Sequence, residues 1–447
     1  MFPGPSVTPV GSSTPDPGAL YFVSYEGLVN NNAFQKNGLL TYQAHQYAVW
    51  YTADRDAVVG RRALGVSRWD AVRVGHSLRY DDSHNVICMG VSRTDGRLHL
   101  VMDSHSDGFT CVKSVAGLLD DPTGTGWTPN RFGVPRSTLD GLALTPRFTY
   151  PQFVATPEGG LQLSYRAGVS GDGRNALAEY DGIRWTGLGE WTSSTGTYTS
   201  AYGSSTARNM YLHGIDYDRR GRLHAFFTWR EQNDAVLRRG GGLTNHDTGY
   251  VYSDDLGRTW RNDAGTVVGR TGTSDRVRVT DSGLVVDPLA PDHSLMNQES
   301  QFTDSDGRPH AIISYVPGHF GRGTGDHVAD RTANGRAFHV RRTAAGGWRK
   351  TEIPFPLNSS QRTKLVLDRY DNAYAVLPHG RVAGASAVSG HTDWRLLYDG
   401  DGLNAFGEVV IDETRVAQDG VLSFMYQEKS RDSVPAPLRV VDFALPV

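Results

Sequence analysis

The chain has 447 residues, a formal net charge of −3, 38% hydrophobic and 10% aromatic content, 52 Gly and two Cys. This length and apolar content suit a sizeable core, the near-neutral charge removes the electrostatic case for a nucleic-acid partner, and no apolar run is long enough to span a bilayer. Two cysteines are too few for a cysteine-rich zinc site, and only five of the 45 basic residues are Lys, an Arg excess that fits an acidic ligand as well as a biased base composition. The protein is expected to act as a monomer with no nucleic-acid or membrane partner.

Residues 1–18 are rich in Pro, Ser, Thr and Gly and read as a flexible leader before a single domain over 19–447. The strand-like stretch 19–24 is placed to pair with 438–443, which would close the two chain ends on each other and cover exposed edges. Strand-turn-strand units then recur. Residues 84–91 turn at Thr94-Asp95-Gly96 and return over 98–102, putting Cys88 and Cys111 on adjacent strands as buried thiols rather than a bridge. Residues 150–155 turn at 157–160 and return over 161–165; residues 210–215 turn at Arg220-Gly221 and return over 223–227. Ser253-Asp254-Asp255-Leu256-Gly257-Arg258-Thr259-Trp260 fits the Asp-box pattern S-x-D-x-G-x-T-W of propeller hairpins, in which acidic side chains bond the turn, Gly takes a positive φ and Trp caps the layer between blades. Further units turn at Asp306-Gly307 and at Tyr370-Asp371-Asn372, and Trp69, Trp185, Trp260, Trp348 and Trp394 close most of them.

Such periodicity predicts an all-β fold, a seven-bladed antiparallel β-propeller with blades at 37–80, 81–140, 147–195, 208–285, 295–356, 360–403 and 404–446. The Gly-rich segments 231–249 and 317–336 read as long functional loops. Asn358-Ser359-Ser360 is a glycosylation sequon consistent with a secreted, extracellular protein.

In each hairpin the residue opening the first strand and the one closing the second lie at the same end, opposite the turn. Those ends carry His84-Asn85 with His105; Tyr150 with Arg166; Arg208, Tyr211 and His213 with Arg230; Asn297, Gln298, Glu299 and His319; and Arg362, Lys364, His379 and Arg381. Adjacent units therefore bring His, Tyr and Arg to one face. Removing the C5 proton of a uronic acid needs this set, because the carbanion forms beside a carboxylate that Arg can neutralise through its fork of donors, while His or Tyr supplies the base. Asn85, Arg208, Tyr211, His213, Arg230 and Arg331 are the residues expected to bind substrate.

The segments 51–64 with Trp69, Asp82-Ser83-His84-Asn85-Val86, Asp95-Gly96-Arg97-Leu98-His99-Leu100 and His105 resemble BNR-type repeat proteins, among them the propeller polysaccharide lyases. Within that group the chain is similar to ulvan lyases and, more closely in the Tyr150 to Arg166 hairpin, to the fungal lyases that cut the L-rhamnose-α-1,4-D-glucuronate cap of gum arabic side chains. The resemblance implies metal-independent β-elimination on an acidic polysaccharide or oligosaccharide. It makes His105 the combined base and acid, Tyr150 its neighbour in proton transfer or the base itself, Arg166 the group neutralising the carboxylate, and His84 the group orienting the sugar. It requires no cofactor for catalysis and makes a structural calcium ion in the propeller channel plausible, although no ligand cluster in the sequence demonstrates one. The zinc-binding cysteines of ulvan lyases are not evident here.

The Asp box also belongs to sialidases, and two other classes are weighed. A sialidase-like hydrolase would need three arginines around a carboxylate with a Tyr-Glu pair, and a non-catalytic carbohydrate-binding propeller would use the same polar face without a base.

Overall fold

The computed structural model describes residues 3–122, 124 and 126–446. Among them the only α-helices are two short ones, His327–Asn334 and Glu413–Asp419, and the strands form seven antiparallel sheets. The first sheet runs Leu39–Tyr42, His45–Tyr51, Asp56–Ala63 and Asp70–Ser77, and the second Ile87–Ser92, Arg97–Met102 and Thr110–Lys113. The third joins Phe148–Ala155, Leu161–Val169, Asp172–Tyr180 and Trp185–Glu190, with the short His105–Asp107 strand on its inner edge. The fourth is the largest and is centred on Ser204–Tyr217, Leu223–Glu231 and Asn245–Ser253. The fifth opens at Ser300–Thr303 and the sixth at Lys364–Leu367, each with four strands. The seventh combines Val410–Ile411, Val421–Gln427 and Ala436–Ala444 with Thr8–Ala19.

The first six sheets touch in succession through their strands, the sixth meets the helix Glu413–Asp419 of the seventh through Lys364–Leu367, and Val410–Ile411 of the seventh touches Leu39–Tyr42 of the first. Separate apolar layers fill the gaps: Val49, Tyr51, Leu98 and Leu100 between the first two sheets, Trp191, Phe227, Val251 and Trp260 between the third and fourth, and Met425, Val440, Ala48 and Trp50 between the seventh and first. Pro309–Tyr315 and Ala373–Leu377 are buried along their whole length because both faces are covered, whereas the outer strand Asp70–Ser77 is largely open to solvent.

The Asp box behaves as its residue types require. Asp255 Oδ1 accepts from the Thr259 N–H at 2.7 Å, Ser253 Oγ accepts from the Gly257 N–H at 2.9 Å, and Gly257 has φ 78°. Trp260 is fully buried and stacks on Trp191 at 4.0 Å.

Several expectations are corrected. Residues 8–18, read as leader, belong to the outer strand of the seventh sheet, which pairs with Ala436–Ala444 from Thr8↔Ala444 to Ala19↔Ala436; Met1 and Phe2 lie outside the described residues. The closing strand is thus Thr8–Ala19 and not 19–24. Pro9, Pro15 and Pro17 are accommodated because an edge strand leaves one row of N–H groups without ladder partners, and the register shifts three times along it. The segment 317–336 contains the helix His327–Asn334, capped by the Asp326 carboxylate accepting from the Ala329 N–H, and 231–249 already re-enters strand at Asn245. Cys88 and Cys111 are free thiols, as expected, but they lie on the two strands that flank Arg97–Met102 rather than on adjacent ones, and only Cys88 is buried.

Candidate active site

The hairpin ends open onto a cleft of about 480 Å³ whose wall includes His84, His105, Tyr150, Tyr211, Arg230 and Arg362. Asp82 organises one side. It sits in the turn before Ile87–Ser92, where Oδ1 accepts from the His84 backbone N–H at 2.9 Å and from His84 Nδ1 at 2.8 Å, while Oδ2 accepts from His105 Nδ1 at 2.6 Å. A carboxylate can only accept, so both Nδ1 atoms carry the proton, and Nε2 is the atom that bears a lone pair in the neutral form of either ring. The two rings stack at 4.0 Å with an interplanar angle of 17°, Phe34 stacks on the far side of His84 at 5.4 Å, and the exposed Tyr25 stands edge-on to both imidazoles. Burial pushes His84 down to about 4, with Asp82 opposing, so its ring is neutral near pH 7. Burial of Asp82 favours its neutral form, but hydrogen bonds from His105 and His84 win and hold it well below the usual carboxylate range.

The opposite side is phenolic. Tyr150 has φ 56°, at a register break between Thr149 and Gln152 in the pairing of Phe148–Ala155 with Leu161–Val169. A non-glycine residue in that region at a bulge is strained, and the strain re-aims the ring into the cleft. The Tyr150 and Tyr211 rings meet edge-on at 5.7 Å, and Ser170 Oγ lies 3.1 Å from the Tyr211 hydroxyl. Burial opposes ionisation of both phenols. Arg166 and Arg230 overcome it at Tyr211, which falls to about 8, whereas burial and Tyr211 itself push Tyr150 up.

Arg166 lies beneath this pair rather than in the cleft wall. It is 2% exposed, its guanidinium carbon is 4.8 Å from the Tyr150 ring centre, and it donates to Ser106 Oγ and Thr149 Oγ1 at 3.0 Å and to Tyr211 at 3.4 Å. Among the described residues no carboxylate pairs with it. Arg362 is committed to Glu408 at 3.0 Å and to Asn297, while Arg230 enters the cleft without an ion-pair partner among the described residues.

The structure therefore brings together His84, His105, Tyr150, Tyr211 and Arg230, with Arg166 directly behind. It places the other expected substrate-binding residues elsewhere. Arg208 is fully buried against Glu231, which also meets His246 at 3.0 Å; its charge is spent inside the fourth sheet. Arg331 is fully buried and donates to the carbonyls of Ser294, Ser314 and Ser360, which fastens the helix His327–Asn334 to the cleft wall. The Asn85 carbonyl accepts from the Tyr51 hydroxyl, and the residue supports the cleft from below. His213 Nδ1 accepts from the Glu299 N–H at 3.1 Å, which leaves Nε2–H facing the small axial cavity. Asp82 and Phe34 were missed, and the only signal for Asp82 was its spacing two residues before His84.

The axial cavity is where a calcium ion would be sought, and its donor set does not suit one. The carboxylates of Asp216 and Glu413 already hold the Lys36 ammonium at 2.5 and 3.1 Å, Lys364 adds a second buried ammonium, and His213 presents an N–H. A hard divalent cation needs oxygen ligands with net negative charge, and here the protein's own lysine takes that place.

A family model described as BNR repeat-containing family member matches residues 45–355. An ulvan lyase, long isoform, of Alteromonas sp. (strain LOR) is 23% identical over 316 residues, covering 60% of this chain and 30% of the relative; the chain thus spans under a third of that relative's length. The structure of polysaccharide lyase Uly1 superimposes with a TM-score of 0.72 at 18% identity, covering 98% of this chain and 99% of the other. A PL25 ulvan lyase bound to -[GlcA(1-4)Rha3S]- superimposes with a TM-score of 0.64 at 12% identity over 97% and 95% of the two chains. These likenesses are to propeller-like folds. No helix among the described residues is long and apolar enough to cross a membrane.

Proposed function

The chain belongs to the BNR repeat-containing family, and from that premise and the cleft we propose that it is a polysaccharide lyase on a closed seven-bladed propeller, secreted and monomeric, that acts on a glucuronate bearing a 4-linked sugar. The observation that carries the reading is the facing of two Asp82-held imidazoles and two phenols, with arginines above and below, across one cleft. His105 Nε2 takes the C5 proton. The electron pair left on C5 is delocalised onto the uronate carboxylate, whose charge Arg230 in the cleft and Arg166 beneath it offset. That pair then forms the C4–C5 double bond as the C4–O4 bond breaks. The leaving O4 takes a proton from the imidazolium or from a phenol of the Tyr150–Tyr211 pair, so each proton has a stated origin and destination.

The linkage we favour is L-rhamnose-α-1,4-D-glucuronate, as on gum arabic side chains, on the strength of the motif resemblance in the Tyr150 to Arg166 hairpin. Ulvan is the second reading, favoured by the sequence relative and by the glucuronate-rhamnose oligosaccharide bound to the PL25 protein. Incubating the protein separately with gum arabic and with ulvan, and following both ultraviolet absorbance of unsaturated uronate and released sugar, separates the two. Rhamnose and an unsaturated uronate from gum arabic are expected. Cleavage of ulvan alone selects the second reading, and sugar release without unsaturation rejects both.

A further inference from the structure

The side chains of Asp82, His84 and His105 meet a second chemical requirement besides orienting two bases. One ligating atom from each, all three residues being half-buried, lies within 4.8 Å of the other two. Both imidazoles point the same nitrogen, Nδ1, at the same carboxylate, at 2.8 and 2.6 Å. Ligands on one tetrahedral ion with bonds of about 2.0–2.1 Å stand about 3.3 Å apart, so to admit an ion in place of the two ring protons the carboxylate must withdraw slightly and the two rings, stacked at 4.0 Å with 17° between them, must tilt apart until both Nδ1 lone pairs meet at one point. Phe34 and the exposed Tyr25 border the rings and are among the side chains that repack around that tilt. The three residues also line or adjoin the open cleft, which leaves a coordination position for water.

We propose that Asp82, His84 and His105 form a binding site for a divalent transition-metal ion of the zinc class, ligated by both Nδ1 atoms and the carboxylate. Two imidazoles and one carboxylate suit zinc, cobalt, nickel or copper and not magnesium or calcium. No net proton has to leave: when the ion takes Nδ1, the ring proton of each neutral imidazole moves to Nε2. That tautomer shift converts the two cleft-facing lone pairs into N–H donors. On the lyase reading above, the loaded protein therefore lacks its base, and the ion is a reversible inhibitor rather than a cofactor. The other histidine cluster, His310, His339 and His391, does not compete as a site, since His310 Nδ1 and His339 Nε2 bond each other at 2.9 Å deep between the fifth and sixth sheets and His391 Nε2 is held by the Asp371 carbonyl.

The test uses the whole chain stripped with a chelator, titrated with Zn²⁺ by calorimetry and with Co²⁺ by visible absorption. One ion per chain is expected, with a ligand-field band of low-symmetry Co²⁺ and a rise in melting temperature. Asp82→Asn, His84→Ala and His105→Ala, checked for folding by circular dichroism, are each expected to weaken binding by at least about tenfold. Absence of the Co²⁺ band and of any Zn²⁺-dependent melting shift overturns the proposal, as does undiminished binding in the His84 and His105 variants. Inhibition of unsaturated-uronate release by Zn²⁺ with recovery on chelation is the companion assay. If the protein releases no unsaturated uronate at all, the lyase reading fails while the Co²⁺ band still decides the site.

Discussion

Arg166 is a buried cation whose described hydrogen-bond partners are all hydroxyls, and that environment fixes what its loss should do. Arg166→Ala is expected to cost about 3–4 kcal/mol of transition-state stabilisation, on the order of a hundred- to a thousand-fold in rate, because a developing negative charge loses a preorganised donor. It should also raise the ionisation of Tyr211 from about 8, since Arg166 is the leading attraction opposing burial there. The ultraviolet difference titration of tyrosinate reads this directly; an unmoved Tyr211 would show that Arg166 does not act through the phenols. Arg166→Lys should recover little, because an ammonium cannot reach Ser106, Thr149 and Tyr211 together. The base is decided by a second pair of variants. With His105 as base, His105→Ala stops elimination but still binds the acidic oligosaccharide, and Tyr150→Phe keeps part of the rate, since burial pushes the Tyr150 phenol up and makes it a poor acceptor near neutrality. A dead Tyr150→Phe beside an active His105→Ala reverses the assignment.

Between residue and whole lie the hairpins and inserts, and here the sequence was unevenly legible. Hairpins such as Met210 to Phe227 were readable because apolar runs and a Gly turn are local signals, and the same reading put His84, His105, Tyr150, Tyr211 and Arg230 at one end. Thr8–Ala19 was not, since three prolines mimic a leader unless one knows that the strand lies at an edge. Asp82 escaped because its two imidazole partners are brought to it by tertiary packing, and Arg208 and Arg331 misled because nothing local says whether a strand-end or loop arginine faces solvent or a buried acceptor. Arg331 carries a prediction at this scale. It ties the helix His327–Asn334 to Ser294, Ser314 and Ser360, the last of which lines the cleft, and sits near the buried Glu299. Arg331→Met should therefore lower stability by about 3–5 kcal/mol, the usual consequence of leaving a buried opposite charge unpaired, and raise KM more than it lowers kcat because His327 and Val328 form part of the cleft. Thermal melting and steady-state kinetics check the two halves; an unchanged melting temperature would sink the assignment of Arg331 as a structural tie.

At the scale of the whole molecule, stability depends on sheets that each bury both faces, and buried histidines make that dependence pH-sensitive. His339 is held well below its ordinary value by burial, with His310, His391 and Arg341 adding to the effect, and burial brings His391 to about 4, His213 to about 3 and His99 to about 4. Around the His310–His339–His391 cluster the charged groups are Asp304, Arg308, Arg341 and Asp371; Asp304 favours protonation of His310, but burial still lowers that imidazole. A base whose folded value lies below its unfolded value of about 6.5 is neutral in the fold and takes up a proton on unfolding. Its contribution is therefore fully present above about pH 6.5 and is lost as pH falls toward about 4, where the folded groups begin to titrate too. Carboxylates such as Asp304, held at about 2, add their own loss only below the ordinary carboxylate range. The wild-type unfolding free energy should thus decline between about pH 6.5 and 4 with a slope set by several protons. His339→Gln with His391→Gln, polar but non-titrating replacements in the same layer, should flatten that decline even if they lower stability at pH 7. Denaturant unfolding at a series of pH values measures both, and an equally steep acid decline in the double variant would move the cause from these two histidines to the other buried ones, His84, His99 and His213.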